Sequence, residues 1–252
     1  MAPTTLSAVL NRHSAGFHAV VPFDPAKESL FPFDFTERNT GLAAEEIADT
    51  ERLAAYINRT LREHGARYGL GGYGEHRTLY ARSSHFDASL QPAGSESARS
   101  RPSSPPAQEE EPRRLHLGVD IWGPAGTKVM SPLNGIVHSF AFNNNDSDYG
   151  ATLILTHQLD GNSFHTLYGH LSLNSLKNLY EGKNITRGEV IAEFGMRFEN
   201  GNWPPHLHFQ VIADMQGWKG DYPGVCKFSE RAVWLDNCPD PDLILRMRRF
   251  VS

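Results

Sequence analysis

Apolar residues follow two different rhythms along this chain. Between Gly41 and His64, the residues Leu42, Ile47, Leu53, Tyr56, Ile57 and Leu61 recur among Glu and Arg. That spacing places them on one face of a 3.6-residue period. Thr40 reads as the N-cap and Gly65 as the stop, so the pattern predicts one amphipathic helix over 41–64. From residue 113 the rhythm shortens. Val129-Met130, Gly135–Phe142, Ala151–His157, Phe164–Tyr168, Val190–Phe194 and His208–Ile212 are short runs with strand character. Asn143–Asp148 and Asp160–Asn162 separate them as turns. Short strands and frequent turns predict a mainly β (α+β) chain with an antiparallel sheet core. The predicted helix precedes that core, and a helical tail around Glu230–Leu235 follows it.

The remaining segments carry weaker patterns. Residues 1–40 scatter Phe17, Phe23, Phe31, Phe33 and Phe35 among prolines without a period, which predicts an irregular arm packed on the body. Tyr68–Gly74 is rich in glycine. It lacks the strand–helix frame of a dinucleotide loop and reads as a turn leading into a strand at Arg77–Arg82, or as backbone that approaches a cleft closely. Residues 87–112 are rich in Ser, Pro, Ala and Glu and cannot bury enough apolar area to order themselves. The expected division is therefore 1–86 as arm, helix and glycine-rich segment, 87–112 as linker or surface loop, 113–214 as core, and 215–252 as an extension packed on the core.

Charge and composition narrow the function classes. A net charge of −5 and a pI near 6.2 argue against a nucleic-acid partner. No apolar run reaches the length of a membrane span. Met1–Leu10 lacks the basic and apolar regions of a secretory leader, so the cytoplasm is the expectation from the sequence alone. Cys226 and Cys238 could pair, but two free thiols in a reduced compartment is the favoured expectation. The oligomeric state is not legible.

Candidate chemistry concentrates in histidines. His116-Leu-Gly-Val-Asp120 pairs a histidine with a carboxylate, and His206-Leu-His208 places two histidines on one strand face. His170 lies in the apolar run Leu167–Ser172. Zinc takes nitrogen and oxygen ligands, and a catalytic site keeps one position open for water. Only three of these residues need hold metal, which leaves the others for proton transfer. His76, His85, His138 and His157 carry no supporting context, and His165 has the opposite strand parity to His170. Tyr168 shares the parity of His170 and reads as core or cleft rim.

The order of these motifs resembles peptidase family M23, the LytM and lysostaphin-like zinc metallopeptidases. His116–Asp120 looks like HxGxD. Pro124–Val129, Ser131–Val137 and Thr166–Ser172 are similar to the G-T-x-V, G-x-V and T-L-Y-x-H-L-S stretches, and His206-Leu-His-Phe209 is similar to HLHF. The resemblance covers about residues 113–214. The stretch Phe194–Pro205 departs from it, being bulkier than the family's small-residue segment. The resemblance implies a LytM/lysostaphin-type sheet and one Zn2+ per chain, held by His116, Asp120 and His208. It also implies His170 and His206 as the catalytic pair, and hydrolysis of peptidoglycan stem or cross-bridge peptides. It sets export to the periplasm or cell wall against the cytoplasmic expectation. Two alternatives stay open: an intracellular hydrolase of another peptide or amide, and a non-catalytic LytM-like binding or regulatory module.

Overall fold

The computed structural model describes residues 5–87 and 110–251. The expected linker lies almost wholly outside these residues. An eight-stranded sheet dominates, in the order β1-β2-β4-β11-β8-β7-β6-β9. Its strands are β1 (Ser29–Phe33), β2 (Ala66–Gly71), β4 (Val119–Trp122), β6 (Gly135–Asn143), β7 (Gly150–Leu159), β8 (Asn162–Leu171), β9 (Asn184–Ile185) and β11 (His206–Ile212). Two short ribbons sit beside it. One pairs β5 (Lys128–Met130) with β10 (Val190–Glu193), the other β3 (Arg113–His116) with β12 (Val225–Lys227). The chain is mainly β, and among the described residues the strands pair antiparallel except β1 with β2.

The parallel pair has a topological cause. The chain leaves β1, crosses through helices α2 (Ala44–Ala48) and α3 (Thr50–Glu63), and returns in the same direction as β2. This corrects three expectations. First, the single helix over 41–64 is two helices, because Asp49 adopts an extended backbone and its side chain accepts from Arg52 N to cap α3. An N-cap signal inside the periodic stretch outweighed the continuous apolar pattern. Second, residues 1–40 are not irregular throughout. Helix α1 (Leu6–His13) opens them, capped by Thr5, and Ser29–Phe33 is an edge strand. Third, the glycine-rich run is a strand as far as Gly71 and turns only at residues 73–74, and Thr78–Arg82 is a short 3-10 helix rather than a strand. Glycine is permitted there by close packing. A Cβ on Gly69 would overlap the Phe33 ring at 2.1 Å, so β1 and the face of β2 pack only with glycine at that position.

The main core draws on both ends of the chain. Leu10, Val20, Val21 and Leu30 join Val119, Ile121, Leu153, Phe164, Tyr168 and Phe209 from the central strands. Ile244 and Leu245 of α5 (Asp242–Leu245) and Met247 complete it. Phe33, Phe35, Leu53, Ile57 and Leu61 form a second cluster with Trp122 and Trp203, which fixes α3 against the strand that carries the candidate site. Helix α4 (Arg231–Asn237) matches the expected C-terminal helix. Cys226 and Cys238 are buried free thiols in a third cluster.

Candidate metal centre

Strand pairing alone assembles half of the site. In the β11–β4 register, His208 lies opposite Asp120 and His206 opposite Trp122. Both histidines point to one face because side chains alternate along a strand. His116 closes β3 and reaches the same place through Leu117-Gly118. A Cβ on Gly118 would lie 2.5 Å from the His208 ring, so the crossing requires glycine. All three side chains are buried.

Three donor atoms converge. His116 Nε2 lies 2.9 Å from His208 Nδ1, and Asp120 Oδ1 lies 3.2 Å from each of them. The outer atoms of the same groups are already engaged. His116 Nδ1 donates to the Gly72 carbonyl at 2.9 Å. Asp120 Oδ2 accepts from Arg77 Nη1 at 2.5 Å. His208 Nε2 lies 2.9 Å from Gln210 Oε1 and 3.3 Å from Tyr149 Oη. With those bonds made, the inner atoms are lone pairs facing one another about 3 Å apart, which is repulsive unless a cation lies among them. Tetrahedral zinc with ligand bonds of about 2.0–2.1 Å spaces its ligands by roughly 3.3 Å. The donor triangle therefore fits a divalent ion, and His116, Asp120 and His208 form the one such group among the described residues. Burial opposes ionisation of Asp120, but its contacts with His116 and the Arg77 guanidinium override it and hold the carboxyl well below its ordinary range.

Arg77 is a feature that sequence reading missed. It is 1% exposed. Beyond Asp120 its guanidinium bonds Glu75 at 2.6 Å, Tyr80 Oη at 3.2 Å and the Gly72 carbonyl at 3.3 Å. Gly71 makes room for it, since a Cβ there would lie 2.6 Å from Arg77 Nη2. The glycine-rich run thus does bring backbone close to the site.

The second histidine pair adjoins the triangle. His170 and His206 have ring centroids 4.1 Å apart. Both donate Nδ1–H to carbonyls, His170 to Asn200 and His206 to Pro204, each at 2.8 Å. Their Nε2 atoms are left as acceptors. His206 stacks on Trp122 at 3.9 Å. His170 has φ of 62°, a conformation that non-glycine residues adopt at a cost and that clusters at functional sites. Burial lowers both histidines, His206 to about 4 and His170 well below its ordinary value, so both are neutral bases. The bulky Phe194–Pro205 segment supplies their support. Asn200 is fixed by the Gly195 and Trp203 carbonyls and by Trp203 N. Trp203 packs edge-on against both rings.

A cavity of about 50 Å3 reaches His170 and His208 between Tyr80, Phe86, Tyr149 and Asp221. His85 also lines that cavity, whereas four other histidines lie elsewhere. His157 bonds Asn134 and Thr166, His138 and His165 contact each other, and His76 meets Phe228. Tyr168 is not at the cleft. It is buried against Phe209 and accepts from Thr166, and Tyr149 takes the place beside the ligands.

Part of the chain is similar to known proteins. The model of peptidase family M23 matches residues 114–219. DD-carboxypeptidase/endopeptidase Mpg of Neisseria meningitidis serogroup B is 35% identical over 98 residues, 39% of this chain and 20% of that protein. A Haemophilus influenzae protein described as an uncharacterized metalloprotease is 33% identical over 97 residues, 38% of this chain and 18% of that protein. The chain thus spans about a fifth of the curated relatives it matches. The antimicrobial peptidase lysostaphin of Staphylococcus simulans is 25% identical, with 53% of this chain and 44% of that chain covered and a TM-score of 0.36. The stretch matched by the family model thus resembles peptidase family M23.

Proposed function

We propose that the chain is a zinc-dependent endopeptidase in which His116, Asp120 and His208 hold one zinc ion and His170 and His206 move protons. One observation carries the reading. Three buried donors converge within hydrogen-bond distance of one another while their outer atoms are committed elsewhere, and a cation resolves that arrangement. A zinc ion bound there would supply Lewis-acid polarisation of a peptide carbonyl and would lower the pKa of water towards neutrality, to about 7 in favourable sites.

The protein's own groups do the rest. His170 and His206 enter neutral, with Nδ1–H anchored and Nε2 open. One takes a proton from attacking water. The other hydrogen-bonds the oxygen on which charge develops. Asn200, Trp122 and Trp203 fix both rings before substrate arrives. The name of the Neisseria relative, a DD-carboxypeptidase/endopeptidase, and the motif resemblance support peptides of peptidoglycan stems or cross-bridges as substrate.

The test measures metal content of the purified full chain beside His208→Ala, with peptidoglycan hydrolysis in the same samples. About one zinc per chain, lost together with hydrolysis in the variant, is the expected result. No zinc after supplementation overturns the reading. Zinc without hydrolysis of peptidoglycan or other peptides points instead to a binding module.

A further inference from the structure

We infer that Gln210 is a positioning residue for the metal centre, locking His208 in the tautomer that presents Nδ1 to the ion. The inference rests on the metallopeptidase reading and adds a residue to it. Gln210 is fully buried and lies two positions beyond His208, on the same face of β11.

An amide can face His208 with either its oxygen or its nitrogen, and the two choices impose opposite tautomers. The surroundings of Gln210 decide between them. Its other terminus lies 3.1 Å from the Pro223 carbonyl and 3.3 Å from Cys238 Sγ. A carbonyl can only accept, so the group facing Pro223 is the amide NH2. The amide oxygen must then face His208 Nε2, at 2.9 Å. An oxygen there accepts, so Nε2 bears the proton and Nδ1 carries the lone pair. Tyr149 Oη is the more distant neighbour of Nε2, at 3.3 Å, and a hydroxyl can either donate or accept. It cannot impose a tautomer, whereas Gln210 can.

The anchor comes from outside the strand. Pro223 and Cys238 belong to the C-terminal segment that packs beneath β11, where Cys238 is buried with Leu167, Ile212 and Tyr222. The orientation of one metal-facing histidine is thereby set by backbone and thiol groups that hold no metal. Partners of this kind fix ring orientation and raise ligand basicity. Their loss costs about 10- to 100-fold in metal affinity.

The experiment uses the zinc-loaded, 15N-labelled full chain. A long-range 1H–15N spectrum of the histidine rings should show His208 protonated at Nε2, with that proton protected from exchange, and coordinated through Nδ1. Coordination through Nε2 overturns the inference on the wild-type protein alone, whether or not any variant folds. Gln210→Met keeps the volume but cannot accept. Its zinc affinity, measured by chelator competition, should fall about 10- to 100-fold, and the His208 proton should lose its protection. Gln210→Glu keeps an oxygen that accepts from His208 Nε2 but gives up the donor to the Pro223 carbonyl, so it should recover part of the zinc affinity and proton protection that Gln210→Met loses. Wild-type zinc affinity in Gln210→Met overturns the inference while leaving the metallopeptidase reading intact. Failure of the wild type to bind zinc overturns that reading first.

Discussion

Each candidate ligand is a residue with two polar ends, and the structure commits one end of each to the protein. The Gly72 carbonyl takes His116, Arg77 takes Asp120, and Gln210 takes His208. Arg77 carries the largest energetic stake, because Asp120 and Glu75 are both bonded to it inside the fold. Removing one partner of a buried pair strands the other, at about 3–5 kcal/mol. Arg77→Met should lower unfolding free energy in urea by an amount of that order. A change below about 1 kcal/mol would mean the carboxylates find water or other donors. Asp49→Ala removes the cap that splits α2 from α3, and the urea midpoint should fall with it; an unchanged midpoint would show that the cap contributes nothing.

At the level of elements, the site depends on strands that the family match does not contain. Strand β4 carries Asp120, and its two neighbours are β11 and β2. Pairing with β2 places Gly71 opposite Asp120 and Gly69 opposite Trp122. Without residues 5–87, β4 becomes an open edge, Trp122 loses its neighbours Phe33 and Phe35, and Asp120 loses Arg77. An exposed edge of this kind invites association. A fragment of residues 110–251 should therefore run as aggregates in size-exclusion chromatography and show weakened zinc affinity. A soluble monomeric fragment with wild-type affinity would show that the upstream strands are dispensable to the centre.

Across the whole molecule, burial of neutral histidines makes stability depend on pH. His157 is far from the metal centre, 1% exposed, and lowered to about 4 by burial. In the unfolded chain its pKa is about 6.5. Between these values the unfolded state binds the extra proton, so stability rises with pH there. The contribution is complete above about pH 6.5 and is lost as pH falls towards 4, amounting to up to about 3 kcal/mol. Thermal unfolding from pH 7 to pH 4 should show this decline, and His157→Gln should flatten part of it. An unchanged slope in the variant would assign the dependence to other groups.

The sequence by itself determined much of this protein, because much of it is local. Strand alternation was enough to put His206 and His208 on one face, and the strand–turn rhythm from residue 113 indicated a mainly β core. The helix break at Asp49 was also written locally, but a continuous apolar stripe concealed it. What only the tertiary structure decided depends on partners distant in sequence. Arg77 sits in a stretch with strand-like composition, and nothing nearby marks it as the partner of Asp120. Gln210 looks like any polar residue on a strand until Pro223 and Cys238 fix its amide. The parallel pairing of β1 with β2 follows from the crossover through α2 and α3. Periodicity reports which face of an element is buried. It does not report which element covers that face, and in this fold the cover supplies the groups that orient the candidate ligands.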